Sequence, residues 1–407
     1  MAIARGQAAR GAFAESGSVS PRDEPAEPRA VGDHAPVLAG SFDLGQVGEQ
    51  SVSRHLILAY DDFYSIKYFR SRLRPYWRRA GADAADMLRT AARQYPVLAE
   101  RCRRFDEELM ADLARVGGER YALVCALAYR QTLAGNKIAA DPSGMPLVFP
   151  KENFSNGCIS TVDVLFPQAP FFLTFSPALT KAILGIGGYA QLCQAVGRRD
   201  EATKYMAIAR QYAAKWEELA KDDGRTRLAY HLPGTWGMKH NLIWDRVLGL
   251  NLFPDRVGDA EIAWYRKVQN KYGLPVDNRT PTSLIDWAVW SIAPARNPSD
   301  FEALFEPVFR YANETPSRVP LSDWYVTTDG RQQGFQARPV VGGIFVRLLS
   351  DAGAWKKWSQ RAERVLGPWA ESPIAGYRPP AATFSDRPLH LWRLRSQRRR
   401  RRARTAS

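Results

Sequence analysis

Seven apolar residues, Leu88, Ala91, Tyr95, Leu98, Cys102, Phe105 and Leu109, recur at spacings of three and four. That spacing lays them along one face of a helix, whereas a strand would split them between two faces. Pro96 interrupts the run, which predicts a kink or a split there. After Gly117-Gly118 the stretch GERYALVCALAYRQTLA predicts a second helix that folds back on the first. An apolar stripe of this length needs a cover, so the chain is expected to be built by packing helix on helix.

The same pattern recurs downstream. Helices are expected over 177–196, from an Asp200 N-cap along the stripe Ala202, Tyr205, Ala209, Tyr212, Trp216 and Leu219, and over 259–271 and 282–293. Others are expected over 299–311 behind a Ser299/Glu302 capping box, from Pro339 to about 350, and over 355–366. Helix pairs joined by alternating short and long loops suit a ring of hairpins. Residues 1–40 lack periodicity and are expected to be disordered. Residues 41–69 alternate and are rich in β-branched and aromatic residues, which predicts one or two strands left from a β-domain ending near 75. The helical part is expected over 76–366, followed by a disordered tail over 367–407.

The net charge of +15 suggests nucleic acid at first sight. Nine of those charges are arginines from Arg387 onward, among them Arg398 to Arg402. The rest is only mildly basic, and specific nucleic-acid binding is not expected. The four cysteines, Cys102, Cys125, Cys158 and Cys193, stand far apart without metal-ligand spacing, so neither a disulfide framework nor a metal site is expected. No export signal, membrane span or cofactor fingerprint is visible.

Chemistry concentrates in two polar loops. The first, KENFSNGCISTVDVLFP, holds Glu152, Asn153 and Asp163; the preceding helix ends in Arg130-Gln131. Glu152 and Asp163 read either as an acid with a stabilising carboxylate or as groups that hold loop amides and cap the next helix. The second, NETPSRVPLSDWYVTTDG, holds Glu314, Arg318, Asp323, Trp324 and Tyr325. A carboxylate against aromatic walls suits a general acid; a packed structural loop fixed by Pro316 and Pro320 suits the residues equally. Asp277, Arg279 and Asp286 read as substrate-holding groups or, for the first two, as a local ion pair. Trp287 reads as a wall of the site or, like Trp236, Trp244 and Trp290, as core. His231 and His240 lack a third ligand, and Cys158 lacks a base.

Nine strings stand in order between about 42 and 349, among them SRHLILAYDDFYSIKYF, YALVCALAYRQ, KENFSNGCISTVDVLFP, KHNLIWDRVLGLNLFP, NETPSRVPLSDWY and GFQARPVVGGIF. Together they resemble the glutaminase A family. The resemblance implies an N-terminal β-sandwich followed by an (α/α)6 six-hairpin toroid that hydrolyses glutamine to glutamate and ammonia. The implied substrate is small and polar; a sugar is the alternative, because six-hairpin toroids often act on glycans and paired carboxylates serve that reaction. For glutamine, Arg279 or Arg318 would meet the α-carboxylate, and Asp277 or Asp323 the α-amine. The resemblance also implies an exported protein and a longer chain. At Lys181-Ala182 the match jumps over about two hairpins of roughly 40–50 residues each. Family motifs like E-E-S-G-N and T-D-D-F-x-G-H fall in that gap and are absent here. The expectation is therefore an incomplete, mainly α toroid with a β remnant and impaired catalysis, or a non-catalytic truncated product.

Overall fold

The computed structural model describes residues 2–20, 22–24, 36–68, 71–141, 144–175, 186–317 and 319–361. It comprises two compact units, Met1–Tyr60 and Asp61–Ser407. The expected tail over 367–407 lies outside the described residues.

The first unit departs from expectation at both ends. Strand β1 (Ala2–Arg5), helix α1 (Gly6–Ser16) and strand β2 (Pro36–Ala39) form a small motif in which β1 pairs antiparallel with β2. Ala2 and Ala9 are buried in it, and Asp23 accepts a bond from the Ile3 amide at 2.7 Å. Small side chains let strand and helix approach without a periodic apolar pattern, which is why composition alone reads as disorder. The alternating stretch over 41–60 forms no strand and is exposed throughout. A strand without a partner leaves its backbone groups unpaired, and alternation does not supply the partner.

The second unit begins with the hairpin β3 (Ile66–Tyr68) and β4 (Ser71–Leu73), followed by a 3-10 turn, Tyr76–Ala80. Helix α2 (Ala84–Ala134) opens with a capping box in which Asp83 and Asp86 exchange bonds with each other's amides. It is broken at Gly118, whose φ of 83° is open to glycine and strained for other residues. The two arms fold back as expected: the rings of Phe105 and Tyr129 lie 5.5 Å apart, edge to face. Pro96 does not split the first arm; the carbonyl it frees belongs to exposed Ala92, where water can serve it. Leu88, Tyr95 and Leu98 are 37–47% exposed, and burial of the stripe begins in earnest at Leu109.

Strands β5 (Asn136–Ala140) and β6 (Pro146–Pro150) form a five-residue antiparallel ladder. Short helices α3 (Val162–Leu165) and α4 (Ala169–Phe175) follow. The expected helix over 177–196 is described from Ile186, as α5 (Ile186–Ala195), and pairs with α6 (Arg199–Ala220). A two-residue hairpin, β7 (Lys221–Asp222) and β8 (Arg225–Thr226), leads to α7 (Ile243–Val247) and α8 (Asp255–Val268). Residues expected to start a helix at 282 instead form β9 (Thr282–Leu284), because they pair with β10 (Trp324–Val326); helix α9 (Ile285–Ile292) starts just after. Helix α10 (Pro298–Glu314) is capped by Asn297, whose side chain accepts the Ser299 amide at 3.2 Å, in place of the expected Ser299/Glu302 box. Pro298 at the first position, with its preset φ, moves the cap forward.

The helix expected from Pro339 is a 3-10 stretch, Pro339–Phe345, continued by α11 (Val346–Leu349); in place of the one expected over 355–366, α12 (Ala352–Ser359) starts earlier, and residues 362–366 lie outside the described residues. The 3-10 stretch runs through the centre of the core, against α2, α4 and α9. Gly343 shows why it stays narrow. A Cβ there would lie 2.6 Å from the Pro167 carbonyl oxygen and 2.8 Å from Asp286 Cβ. Trp290, Phe301, Phe305, Phe345 and Trp358 fill the surrounding core. The unit is mainly α, and among the described residues the sheets have two strands each. No described helix is long and apolar enough to cross a membrane.

Candidate functional site

Four buried charged side chains converge where three loops meet beside α9: Glu152, Asp286, Asp323 and Arg338, each at most 5% exposed. Arg338 is the hub. Its Nε donates to Asp323 Oδ1 at 3.1 Å and its Nη2 to Asp323 Oδ2 at 2.5 Å, a two-pronged pair. Its Nη1 lies 3.6 Å from Glu152 Oε2. The guanidinium also sits 3.9 Å from the centre of the Phe335 ring. Burial alone would lower the Arg338 pKa, but its bonds and charge contacts with Asp323, Glu152 and Asp286 outweigh that and raise it. The arginine stays charged in a place that strips it of water.

Local structure accounts for each position. The first loop is pinched by a backbone bridge between Lys151 and Ile159, and the Glu152 amide bonds to the Cys158 carbonyl at 3.2 Å. Ser155 Oγ then donates to Glu152 Oε2 at 2.9 Å, which fixes the carboxylate toward Arg338. Asn153 ties this loop to the one before the 3-10 stretch by donating to the Ala337 carbonyl at 2.7 Å. From behind, Gln131 Nε2 donates to the carbonyls of Leu321 at 2.8 Å and Arg338 at 3.1 Å. The Ile285 amide donates to the Asp323 carbonyl at 2.8 Å, bringing the start of α9 against the third loop.

Asp286 occupies the first turn of α9 and is 1% exposed, and its Oδ1 finds no partner among the described residues. Burial, with the neighbouring Asp323 carboxylate adding to it, pushes its pKa up to about 8. The Asp286 and Trp287 amides and the Arg338 charge oppose the rise without cancelling it. At neutral pH Asp286 therefore holds its proton beside an arginine-paired carboxylate. That contrast is what acid–base hydrolysis uses: one group to give a proton and one to take or stabilise charge.

Sequence reasoning placed Glu152 and Asp323 here and named Asn153, which supports the cluster. The other expected residues lie elsewhere. Asp163 is exposed in the first turn of α3, away from the cluster, and no side-chain bond caps that helix. Glu314, at the end of α10, receives a bond from the Tyr272 hydroxyl at 3.2 Å and is 44% exposed. Arg130 is exposed, and the adjacent Gln131 makes the loop contact. Asp277 and Arg279 close on each other, with Nε–Oδ1 at 3.0 Å and Nη2–Oδ2 at 2.6 Å, so the local ion pair holds. Trp287 stacks face to face on His240 at 4.4 Å, and burial, with Lys239 adding, pulls that imidazole down to about 4. Trp324 is half-buried against Phe335 at 5.8 Å. Tyr325 is fully buried and stacked on Tyr311 at 3.6 Å, a core side chain instead of a pocket wall. Arg318 lies outside the described residues.

Two members of the cluster were given other roles by the sequence. Arg338 was read only as the residue before a helix-starting proline, and Asp286 only as a substrate holder. The available signal was a single charge embedded in an apolar run, IDWAVW for one and ARPVVGGIF for the other. Such a charge cannot stay buried unless it is paired or neutralised. Among the described residues, no group of three or more His, Cys, Asp or Glu is arranged to hold a metal ion. The cluster does not line the cavity of about 890 Å³ whose walls include Trp216, Trp244 and Phe253.

The family model of the glutaminase A six helical-hairpin domain matches residues 118–184 and 179–348. The chain belongs to this family, and its helix pairs are parts of a six-hairpin domain. A second family model, a domain of unknown function (DUF5127), matches residues 1–112. Glutaminase A of Aspergillus oryzae is 26% identical over 461 positions, covering 84% of this chain and 66% of the fungal one. A probable glutaminase of Arthroderma benhamiae is 30% identical over 200 residues, covering 41% of this chain and 23% of its own length. The chain thus spans less than two thirds of either relative. The six-hairpin match comes in two pieces that meet at 179–184. Moreover, 84% of 407 residues cannot fill 461 positions, so the longer alignment opens gaps on this side.

Proposed function

We propose that this chain is a glutaminase-type hydrolase domain acting on the side-chain amide of glutamine, with turnover curtailed by an internal segment absent at 179–184. The observation that carries the hydrolase reading is Asp286, protonated and buried next to the Arg338-paired Asp323. In amide hydrolysis water adds to the carbonyl carbon, the C–N bond breaks, and the nitrogen leaves with a proton. Asp286 suits the proton donor, and Asp323 or Glu152 suits the group that takes the proton from water. The relatives' printed names support glutamine as the substrate.

The curtailed turnover follows from the two-piece match and from the acidic motifs missing at the join. Near-complete burial of all four ionisable groups favours a second role, in which Arg338 pins three loops together. Ion-pair networks of that kind also displace pKa values. The test measures ammonia release from L-glutamine and reducing-end release from a glycan panel. It uses the 407-residue chain and a version carrying the A. oryzae intervening segment between Lys181 and Ala182. Ammonia release that rises at least tenfold on insertion, and is lost with Asp286→Asn, is the expected result. Reducing ends without ammonia would make the domain a glycosidase. Full turnover by the uninserted chain would refute the curtailment.

A further inference from the structure

Strand β8 and the residue after it carry Arg225 and Arg227, two apart and therefore on one face, while Thr226 turns to the other. The pairing continues past β8, because the Arg227 amide donates to the Ala220 carbonyl at 2.8 Å. Thr226 is buried against α8: its amide and hydroxyl donate to Glu261 Oε1 at 2.8 and 2.6 Å, which fixes the hairpin on that helix. Farther along α8, the Trp264 ring lies under the Arg225 guanidinium, 4.1 Å from it.

The Arg225 side chain is 8% exposed and that of Arg227 24%. Both lean toward one carboxylate, Asp222, at 3.7 Å each, too far for a hydrogen bond. Asp222 Oδ2 already accepts the Gly234 amide at 2.8 Å, and Arg227 Nη1 donates to the Tyr230 carbonyl at 2.8 Å. The Nε–H groups of Arg225 and Arg227 and the Nε1–H of Trp264 are buried and find no acceptor among the described residues. Among those residues neither guanidinium has an ion pair with any other carboxylate. Two positive charges thus share one negative charge, and three donors are stripped of water without gaining an acceptor. Burial on those terms is costly. What complements the site is a small group that only accepts hydrogen bonds and carries one negative charge.

We propose that Arg225 and Arg227 form a binding site for a small free carboxylate. The planar guanidinium fork matches the two oxygens of that group. One negative charge, added to that of Asp222, balances the two arginines, whereas a dianion such as sulfate overshoots. The narrow exposure of Arg225 admits a small molecule and excludes a carboxylate on a folded partner's surface. This site uses none of the residues around Arg338 and does not depend on the hydrolase reading.

The test melts the 407-residue chain in rising acetate, with chloride holding the ionic strength constant and sulfate as the dianionic comparison. A ligand that binds the folded state raises the melting temperature by mass action. A saturable rise is expected, with its midpoint at a lower concentration for acetate than for sulfate and moved up at least tenfold by Arg225→Met. No saturable rise, or an equal one in the variant, would overturn the site, and tighter binding of sulfate would overturn the carboxylate assignment. Should the variant fail to fold, phenylglyoxal labelling of wild-type arginines, mapped by mass spectrometry, decides. Acetate should slow labelling of Arg225 and Arg227 at least threefold and leave exposed Arg130 unchanged. Uniform slowing, or none, would overturn the proposal.

Discussion

Replacing Asp286 by Asn isolates the electrostatics of the buried cluster. The side chain keeps its shape but loses its titration, so it cannot acquire a charge beside Asp323. In the folded protein the Asp286 pKa stands at about 8, against 3.8 for an ordinary aspartate. The folded state therefore keeps a proton that the unfolded chain releases, and wild-type stability must fall as pH rises between those two values. The slope is about 1.4 kcal/mol per pH unit inside the window, so from about pH 5 to about pH 7 the loss is roughly 2.5 kcal/mol. The Asn variant lacks this component, while other titrating groups are common to both proteins and cancel in the difference. Urea unfolding followed by tryptophan fluorescence, at several pH values across that range, measures it directly. The advantage of the variant over the wild type should grow with pH at that slope, whatever constant offset the amide introduces. A difference that stays flat would mean that Asp286 is ionised in the fold, and the acid role argued from it would go too.

Three further outcomes follow from the same geometry. Arg338→Met leaves Asp323 buried without its partner and should cost about 3–5 kcal/mol, read as a lower unfolding midpoint in urea. Gly343→Ala drives a methyl into the Pro167 carbonyl and Asp286 and should destabilise by about 1–3 kcal/mol; an unchanged melting temperature would contradict that packing. Asp163→Asn and Glu314→Gln, both at exposed positions outside the cluster, should each leave stability within about 0.5 kcal/mol, and neither should alter ammonia release by the segment-inserted chain.

The helical character of the chain could be read from local spacing, because spacing of three and four is a property of one element. The fold-back at Gly117-Gly118 could be read as well, since two adjacent glycines punctuate the pattern. What local pattern could not show was pairing. Thr282–Leu284 runs directly into the apolar helical stretch that follows, but it becomes a strand because Trp324–Val326 lies alongside it, some forty residues away. Of the stretch over 41–69, Ile66–Tyr68 finds a partner and forms a strand, whereas 41–60 pairs with no described strand and forms none. The candidate site follows the same logic. Glu152 and Asp323 stood out because they sit in loops dense with charge. Arg338 was overlooked and Asp286 read only as a substrate holder, because each is a lone charge in an apolar run, and its meaning depends on a partner distant in sequence. Tyr325 misled for the opposite reason: an aromatic beside a loop carboxylate looks like a wall, and here it is stacked into the core on Tyr311.

Helix α2 is fastened to the 3-10 stretch, α11 and α12. The Tyr121 hydroxyl donates to the Ile344 carbonyl at 2.9 Å, and Arg347 Nε donates to the Val116 carbonyl at 3.0 Å. Trp358 packs edge to face on Phe105 at 5.2 Å. These contacts close a loop of more than two hundred residues, and closure cost grows only logarithmically with length, by about 0.6 kcal/mol per doubling. Lengthening or shortening the interior by whole hairpins thus changes the cost of this clasp by a few tenths of a kcal/mol. A fold fastened at its two ends in this way can vary its interior count during evolution without losing its outline. The toll of such a change falls on the faces that the inserted or deleted hairpins used to touch, and on whatever chemistry those hairpins carried.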